Sequence, residues 1–268
     1  MRIGIMGGTF DPIHLGHLRA AEEIYWAFDL DKIIFIPSSR PPHKDANRVA
    51  PALHRYEMVS LATIFTPYFS VSSIEIDRPG RSYSAETVQE LRRVYGKDSV
   101  LYFIVGVDAF LEISTWKDAK ELLASVQFIV TARPGWRLDD VEKSLKPKQL
   151  GKLGNPRFRY LKIAEIDSEA EIKTPKKGLV LLVEVVSHDI SSTEIRHLVE
   201  EGRSIRFLVP DTVAAYMDKN QLYRENSRRK AGSPRGPEAL KLRSSELQMH
   251  DAGNPRGRLL GQLRSTKD

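Results

Sequence analysis

Residues 2–28 read RIGIMGGTFDPIHLGHLRAAEEIYWAF, and three physical signals follow one another along them. Arg2 to Met6 is a short apolar run, the mark of a buried strand, and Gly7-Gly8 ends it. From His14 onward Leu15, Leu18, Ala21, Ile24, Tyr25 and Phe28 recur at helical spacing. Between strand and helix lie two glycines, a proline and a histidine pair. Strand, tight turn and helix form the opening unit of a parallel α/β sheet, whose ligands sit at the carboxyl ends of the strands.

The same alternation continues along the chain. Lys32 to Ile36 reads as a second strand, ended by Pro37. A loop with Pro41-Pro42 leads to a helix from about Pro51 to Phe65. Phe69 to Ile76 alternates as a strand, Ser84 to Tyr95 reads as a helix, and Ser99 to Val105 as a strongly apolar strand. Ala119 to Ala124 is a short helix and Val126 to Thr131 a strand. Residues 136–178 carry many charges, prolines and glycines and predict an insertion or small helices between strands. Leu179 to Val186 is a last buried strand, and helices over Ser192 to Glu201 and Asp211 to Asp218 close the series. Near-continuous apolar strands alternating with helices predict a doubly wound parallel sheet covered on both faces.

Composition sets the limits. The chain has 268 residues, of which 41% are hydrophobic and 28% charged, ordinary for a folded globular protein. It has no cysteine, which excludes a disulfide framework, Cys-ligated zinc and a thiol nucleophile. The most apolar run, Leu179 to Val186, is broken by Glu184 and is far too short for a membrane span. The apolar part of MRIGIMGG is too short for a secretory leader, and a soluble, cytoplasmic protein is expected.

The first chemical motif is GGTFDPIHLGH, Gly7 to His17. Gly7 and Gly8 allow a tight turn and close approach of backbone to a ligand. His14 and His17, three apart at a helix start, can face one site, where free N–H groups and the positive dipole end favour anions. Backbone donors and two imidazoles make a phosphate cradle. The dinucleotide fingerprint is absent, as is the Gly-Lys-Ser/Thr of a P-loop. A zinc site on the two histidines lacks a third ligand nearby, so no protein-held metal is expected. The second motif is ISSTEIR, Ile190 to Arg196, after the last strand. Ser191 or Ser192 can cap the following helix, with Glu194 in its first turn. Ser192 and Thr193 can instead donate hydroxyls to phosphate, and Arg196 offers a planar fork for phosphate oxygens. The residue types alone leave cap and phosphate site both open.

Together the two motifs resemble the nucleotidyltransferase superfamily that carries a His-x-Gly-His signature. PPHK (Pro41 to Lys44), RSYSAETV (Arg81 to Val88), VGVDAFLEISTW (Val105 to Trp116), ARPG (Ala132 to Gly135) and FLVPDTVAAYM (Phe207 to Met217) follow in the order of the bacterial nicotinate-mononucleotide adenylyltransferases. The resemblance covers residues 1 to about 224. It implies a Rossmann-like nucleotidyltransferase fold and transfer of AMP from ATP to nicotinate mononucleotide, giving deamido-NAD and pyrophosphate. It implies that His14, His17 and Arg196 are catalytic, and that Gly7, Gly8, Thr9, Phe10, Gly106, Asp108, Ser192 and Thr193 join them around ATP. Lys44, Ser84, Ala85 and Trp116 would meet the acceptor, Trp116 by stacking on its pyridine ring; on sequence alone Trp116 reads equally as core and Lys44 as a solvated loop lysine. Where the family has Ser-Tyr-Thr, an aliphatic residue and Asp-Thr, this chain has Ser82-Tyr83-Ser84-Ala85-Glu86-Thr87. Mg²⁺ would arrive with ATP and take few or no protein ligands.

The formal net charge of +6 is uneven. Residues 1–224 hold 31 Lys+Arg and 30 Asp+Glu, whereas residues 225–268 hold 10 and 5. The first part reads as the catalytic domain. The second, rich in Gly, Pro, Ser and Arg and without aromatic residues, reads as a basic disordered tail. A weak anionic partner of that tail is the rival reading of the charge, although no nucleic-acid-binding motif is visible. The other rivals keep the chemistry and change the acceptor to nicotinamide mononucleotide or phosphopantetheine. The sequence leaves an oligomer possible.

Overall fold

The computed structural model describes residues 1–41, 49–132, 141, 144–166, 178–186 and 190–224. The elements in chain order are β1 (Arg2–Gly8), α1 (Leu15–Ala27), β2 (Lys32–Pro37), α2 (Ala52–Thr63), β3 (Phe69–Val71), α3 (Ile74–Asp77), α4 (Ser84–Tyr95), β4 (Val100–Gly106) and α5 (Val107–Leu111). A 3₁₀ turn, Ile113–Thr115, precedes α6 (Ala119–Ser125). Then come β5 (Gln127–Ala132), α7 (Pro147–Lys152), β6 (Arg157–Lys162), α8 (Ile163–Ile166), β7 (Leu179–Glu184), α9 (Ser192–Glu200) and α10 (Asp211–Lys219). Among the described residues seven strands form one sheet in the order β3-β2-β1-β4-β5-β7-β6, and every neighbouring pair is parallel.

The period of two along the strands explains why both faces are covered. On β4, Tyr102 and Ile104 face one core, while Leu101, Phe103 and Val105 face the other. β7 divides likewise, Leu181 and Val183 against Val180 and Leu182. The first core takes Ile24 of α1, Met58 and Val59 of α2, Ile195 of α9 and Val213 and Met217 of α10. The second takes Val88 and Leu91 of α4, Phe110 of α5 and Leu122 and Leu123 of α6. Buried on both sides, the strands need the continuous apolar sequences they have. Among the described residues no helix is long and apolar enough to cross a membrane.

Three sequence expectations change. The strand expected over Phe69 to Ile76 ends at Val71, and Ile74–Asp77 turns helical. Ser72 and Ser73 make the break: the Ser72 hydroxyl accepts from the Ile74 amide, and the Ser73 hydroxyl donates to Asp77. The stretch 136–178 holds a strand, Arg157–Lys162, at the sheet edge. Its Arg157, Arg159 and Lys162 hid it, because an edge strand tolerates charge that an inner strand does not. Finally, β1 does not stop at Met6 but includes Gly7 and Gly8, paired with Ile36 and Pro37. The expected tail, residues 225–268, lies outside the described residues.

Candidate active site

The strand order reverses direction between β1 and β4, since the chain leaves β1 toward β2 and β3 and leaves β4 toward β5. A crevice opens at the carboxyl ends of such neighbours. Gly8 ends one wall. Gly106, exposed and with open space where a Cβ would stand, ends the other. Asp108 is exposed in the first turn of α5, directly beyond.

The turn that leaves β1 falls at Phe10, whose φ of 49° is left-handed, and Asp11-Pro12 is cis. Phe10 is buried, with its ring lying on Gly8: a Cβ there would stand 2.9–3.1 Å from three ring atoms. Gly8 is therefore required for the close approach of a side chain, not for a turn. The Phe10 ring also meets His17 in a T-shaped contact, with centroids 5.2 Å apart. His14 is the N-cap of α1 and is buried, and its ring stacks on that of His17 at 3.6 Å. The His14 amide donates to Nδ1 of His17 at 3.3 Å. That bond puts the lone pair of the neutral ring at Nδ1 and the proton at Nε2.

The second motif docks on the first. Ser191 caps α9 by accepting from the Glu194 amide at 3.1 Å. The Ser192 hydroxyl donates to the Pro12 carbonyl at 2.9 Å. Arg196 donates through Nη1 to the Asp11 carbonyl at 2.7 Å and through Nη2 to the Thr193 hydroxyl at 3.2 Å. So Gly8, His14, His17, Ser192, Thr193 and Arg196 form one constellation, built from the starts of α1 and α9 and joined through residues 11 and 12. The hydroxyls of Ser192 and Thr193 have structural partners here.

Three residues central to this arrangement were not singled out by the sequence, although Asp11 lies within its first motif. Asp11 is buried, and its Oδ1 accepts from the Tyr223 hydroxyl at 2.6 Å and the Ala50 amide at 3.1 Å. Burial, and then the Asp11 carboxylate, push the Tyr223 phenol far above its ordinary range, so Tyr223 is a neutral donor. Arg55 is 1% exposed and donates to the carbonyls of Thr9 (2.7 Å), Ser38 (2.6 Å), Ser39 (3.2 Å) and Ala50 (2.8 Å). Burial lowers its pKa, against the opposing field of Asp11. A guanidinium remains charged at neutral pH and so staples the connection after β1 to both ends of the connection between β2 and α2. An Arg inside an amphipathic helix reads as solvated, and only its four carbonyl partners reveal otherwise.

The expected acceptor residues lie on the α4 side. Ser84 and Ala85 are the first residues of α4, with Ala85 buried. Trp116 is half-buried against the second core, edge-on to Phe103 at 6.1 Å. Lys117 beside it pairs with Glu86 at 2.7 Å and lies over the Tyr83 ring, bringing this turn to the start of α4. Glu75, buried, accepts from Thr87 at 2.6 Å, and Arg78 holds Thr87 (2.8 Å) and Glu90 (2.9 Å). The Ser82 hydroxyl accepts from the Ser39 amide, while the Ser38 amide donates to the Gly8 carbonyl, so the acceptor turn is tied back to β1. Arg40 and Arg81 line a cleft at the start of α2 and add two cations there. Lys44 lies outside the described residues. Among the described residues no cluster of three or more His, Asp or Glu side chains could hold a metal ion.

The family model described as cytidylyltransferase-like matches residues 5–198. A probable nicotinate-nucleotide adenylyltransferase of Moorella thermoacetica is 47% identical over 223 residues, 83% of this chain and 92% of that relative. One from Thermus thermophilus is 40% identical, over 84% of this chain and all of the relative. Among solved structures, the Plasmodium falciparum nicotinic acid mononucleotide adenylyltransferase complexed with NaAD superposes with a TM-score of 0.60. At 17% identity, over 83% of this chain and 97% of that one, the likeness speaks for the fold.

Proposed function

Because the chain belongs to the cytidylyltransferase-like family and, within it, to the nicotinate-nucleotide adenylyltransferases, we propose that it adenylylates nicotinate mononucleotide with ATP. An oxygen of the acceptor phosphate attacks the α-phosphorus of ATP. A new P–O bond forms, the bond to the β-phosphate oxygen breaks, and pyrophosphate leaves with deamido-NAD as product. The second pKa of a phosphate monoester is near ~6, so the attacking oxygen is already anionic at neutral pH and no general base is needed.

The barrier is charge repulsion, roughly 4 kcal/mol for one pair of unit charges at ~4 Å and an effective dielectric of about 20. The observation that carries the proposal is the docking of two helix starts, one bearing His14 and His17 and the other Arg196, at the crevice between β1 and β4. Nε2–H of His17 would donate to the α-phosphate as its charge builds, with His14 stacked beneath to hold the ring. The first-turn amides of α1 and α9, with Arg196, would take the β- and γ-phosphates. Gly106 and Asp108 would flank the nucleotide ribose. Mg²⁺ bound with ATP would neutralise part of the polyphosphate charge, held by phosphate oxygens and water.

On the acceptor side, the α4 amides of Ser84 and Ala85 suit a carboxylate. An amide would turn its NH₂ against one donor, which favours nicotinate over nicotinamide. Trp116 would face the pyridine ring and Lys44 would add positive charge. The catalytic unit would span residues 1–224, with 225–268 dispensable for turnover. Pyrophosphate release with ATP and a panel of acceptors tests the reading. Turnover with nicotinate mononucleotide and little with nicotinamide mononucleotide or phosphopantetheine is expected; activity only with a non-pyridine acceptor overturns it.

A further inference from the structure

Arg196 is held by Asp11 at two points. Nη1 donates to the backbone carbonyl at 2.7 Å and lies 3.6 Å from Oδ2. The second distance is too long for the tight bidentate pair that Arg and carboxylate ordinarily make. The reason lies on the other oxygen. Oδ1 is already filled by the Tyr223 hydroxyl at 2.6 Å and the Ala50 amide at 3.1 Å, which fix the carboxylate plane and spend its outer lone pairs. Arg196 keeps a side chain 25% exposed, whereas that of Asp11 is 3% exposed. Nη1 is thus gripped by Asp11 and Nη2 by the Thr193 hydroxyl at 3.2 Å, while a quarter of the side chain still faces solvent.

We propose that Asp11 and Tyr223 are positioning residues for Arg196: the Tyr223 hydroxyl locks the Asp11 carboxylate so that it orients the Arg196 fork toward the nucleotide without neutralising it. Tyr223 comes from the segment after α10, packed with Leu222 against the first core. A residue 212 positions from Asp11 in sequence therefore sets the geometry of the phosphate site. Preorganising a donor in this way saves the ordering cost at binding.

The proposal rests on the nucleotide site described above, and its test separates the two. Binding of α,β-methylene-ATP, which cannot be cleaved at the reacting position, is titrated in the full chain with Tyr223→Phe, Arg196→Ala and the double variant. Tyr223→Phe should weaken binding about tenfold, the scale of one hydrogen bond to a charged group. In the Arg196→Ala background the same change should alter affinity less than about twofold, because interacting residues are non-additive. The KM for the acceptor should not move. Equal losses in both backgrounds, or a lower melting temperature with unchanged affinity, overturn the proposal. If Tyr223→Phe does not fold, Asp11→Asn replaces it: the amide keeps an acceptor for Tyr223 but loses the charge, and the same Arg196-dependent loss is required. A wild-type chain that binds the analogue yet forms no deamido-NAD would sink the function and leave the clasp standing.

Discussion

Burial pushes the Glu75 carboxyl above its ordinary value of 4.5, against hydrogen bonds from Thr87 and Ser82 and the nearby Arg78. The folded state therefore binds this proton more tightly than the unfolded chain. The stability tied to Glu75 is full below the unfolded pKa and declines as pH rises through the folded one. Glu75→Gln keeps an acceptor for Thr87 and removes the charge. Denaturant melts of both chains across that range should show the variant gaining on the wild type as pH rises. A constant difference would contradict this. His17→Ala is the catalytic counterpart: kcat should drop by about 10²–10³, the scale of one lost oxyanion donor, while ATP-analogue affinity largely persists. Full turnover would remove His17 from the chemistry. The meeting of His14, His17 and Arg196 was legible because both motifs follow strand ends of one parallel sheet, which brings them to the same edge. Asp11, Arg55 and Tyr223 were not, since their meaning lies in contacts that reach across up to 212 residues, which no local pattern encodes.

At the scale of elements, β1 shows how tightly the strands are set. A Cβ on Gly4 would stand 2.9 Å from Ile33 Cγ1 and 3.0 Å from the Cδ1 atoms of Ile104 and Leu30. Gly4→Ala should cost about 1–3 kcal/mol by overpacking, read as a lower melting temperature with KM for both substrates unchanged. The glycine lies four residues before Gly8, and the damage should stay in the core. Inner strands and long amphipathic helices were legible because burial on both faces leaves an apolar signature. The exceptions were a strand cut short where the Ser72 and Ser73 hydroxyls bond to the Ile74 amide and the Asp77 carboxylate of the following turn, and an edge strand carrying three basic residues. In both, local hydrogen bonding or exposure overrode the period on which the reading depends.

For the whole molecule, the placement of Tyr223 makes the end of the catalytic unit a sharp boundary. A chain ending at Arg224 should keep turnover with nicotinate mononucleotide and lose only salt-sensitive binding to polyanions, if the basic residues beyond it bind any. A chain ending at Asn220 lacks Leu222 and Tyr223 and should lose about tenfold in kcat/KM for ATP, as the missing hydrogen bond requires. Equal activity of the two would show that the boundary lies earlier.

The bond between Tyr223 and Asp11 also sets when, during its synthesis, the protein becomes competent. Chains grow at roughly 5–20 residues per second, so about 10–40 s separate the making of the two partners 212 residues apart. In that interval the first strands can pair, and His14 and His17 can already stack. The Arg196 side of the cradle is still being built, and the residue that locks it arrives last. A chain grown short of Tyr223 would thus hold half a nucleotide site, and full affinity for ATP would mark a finished catalytic unit.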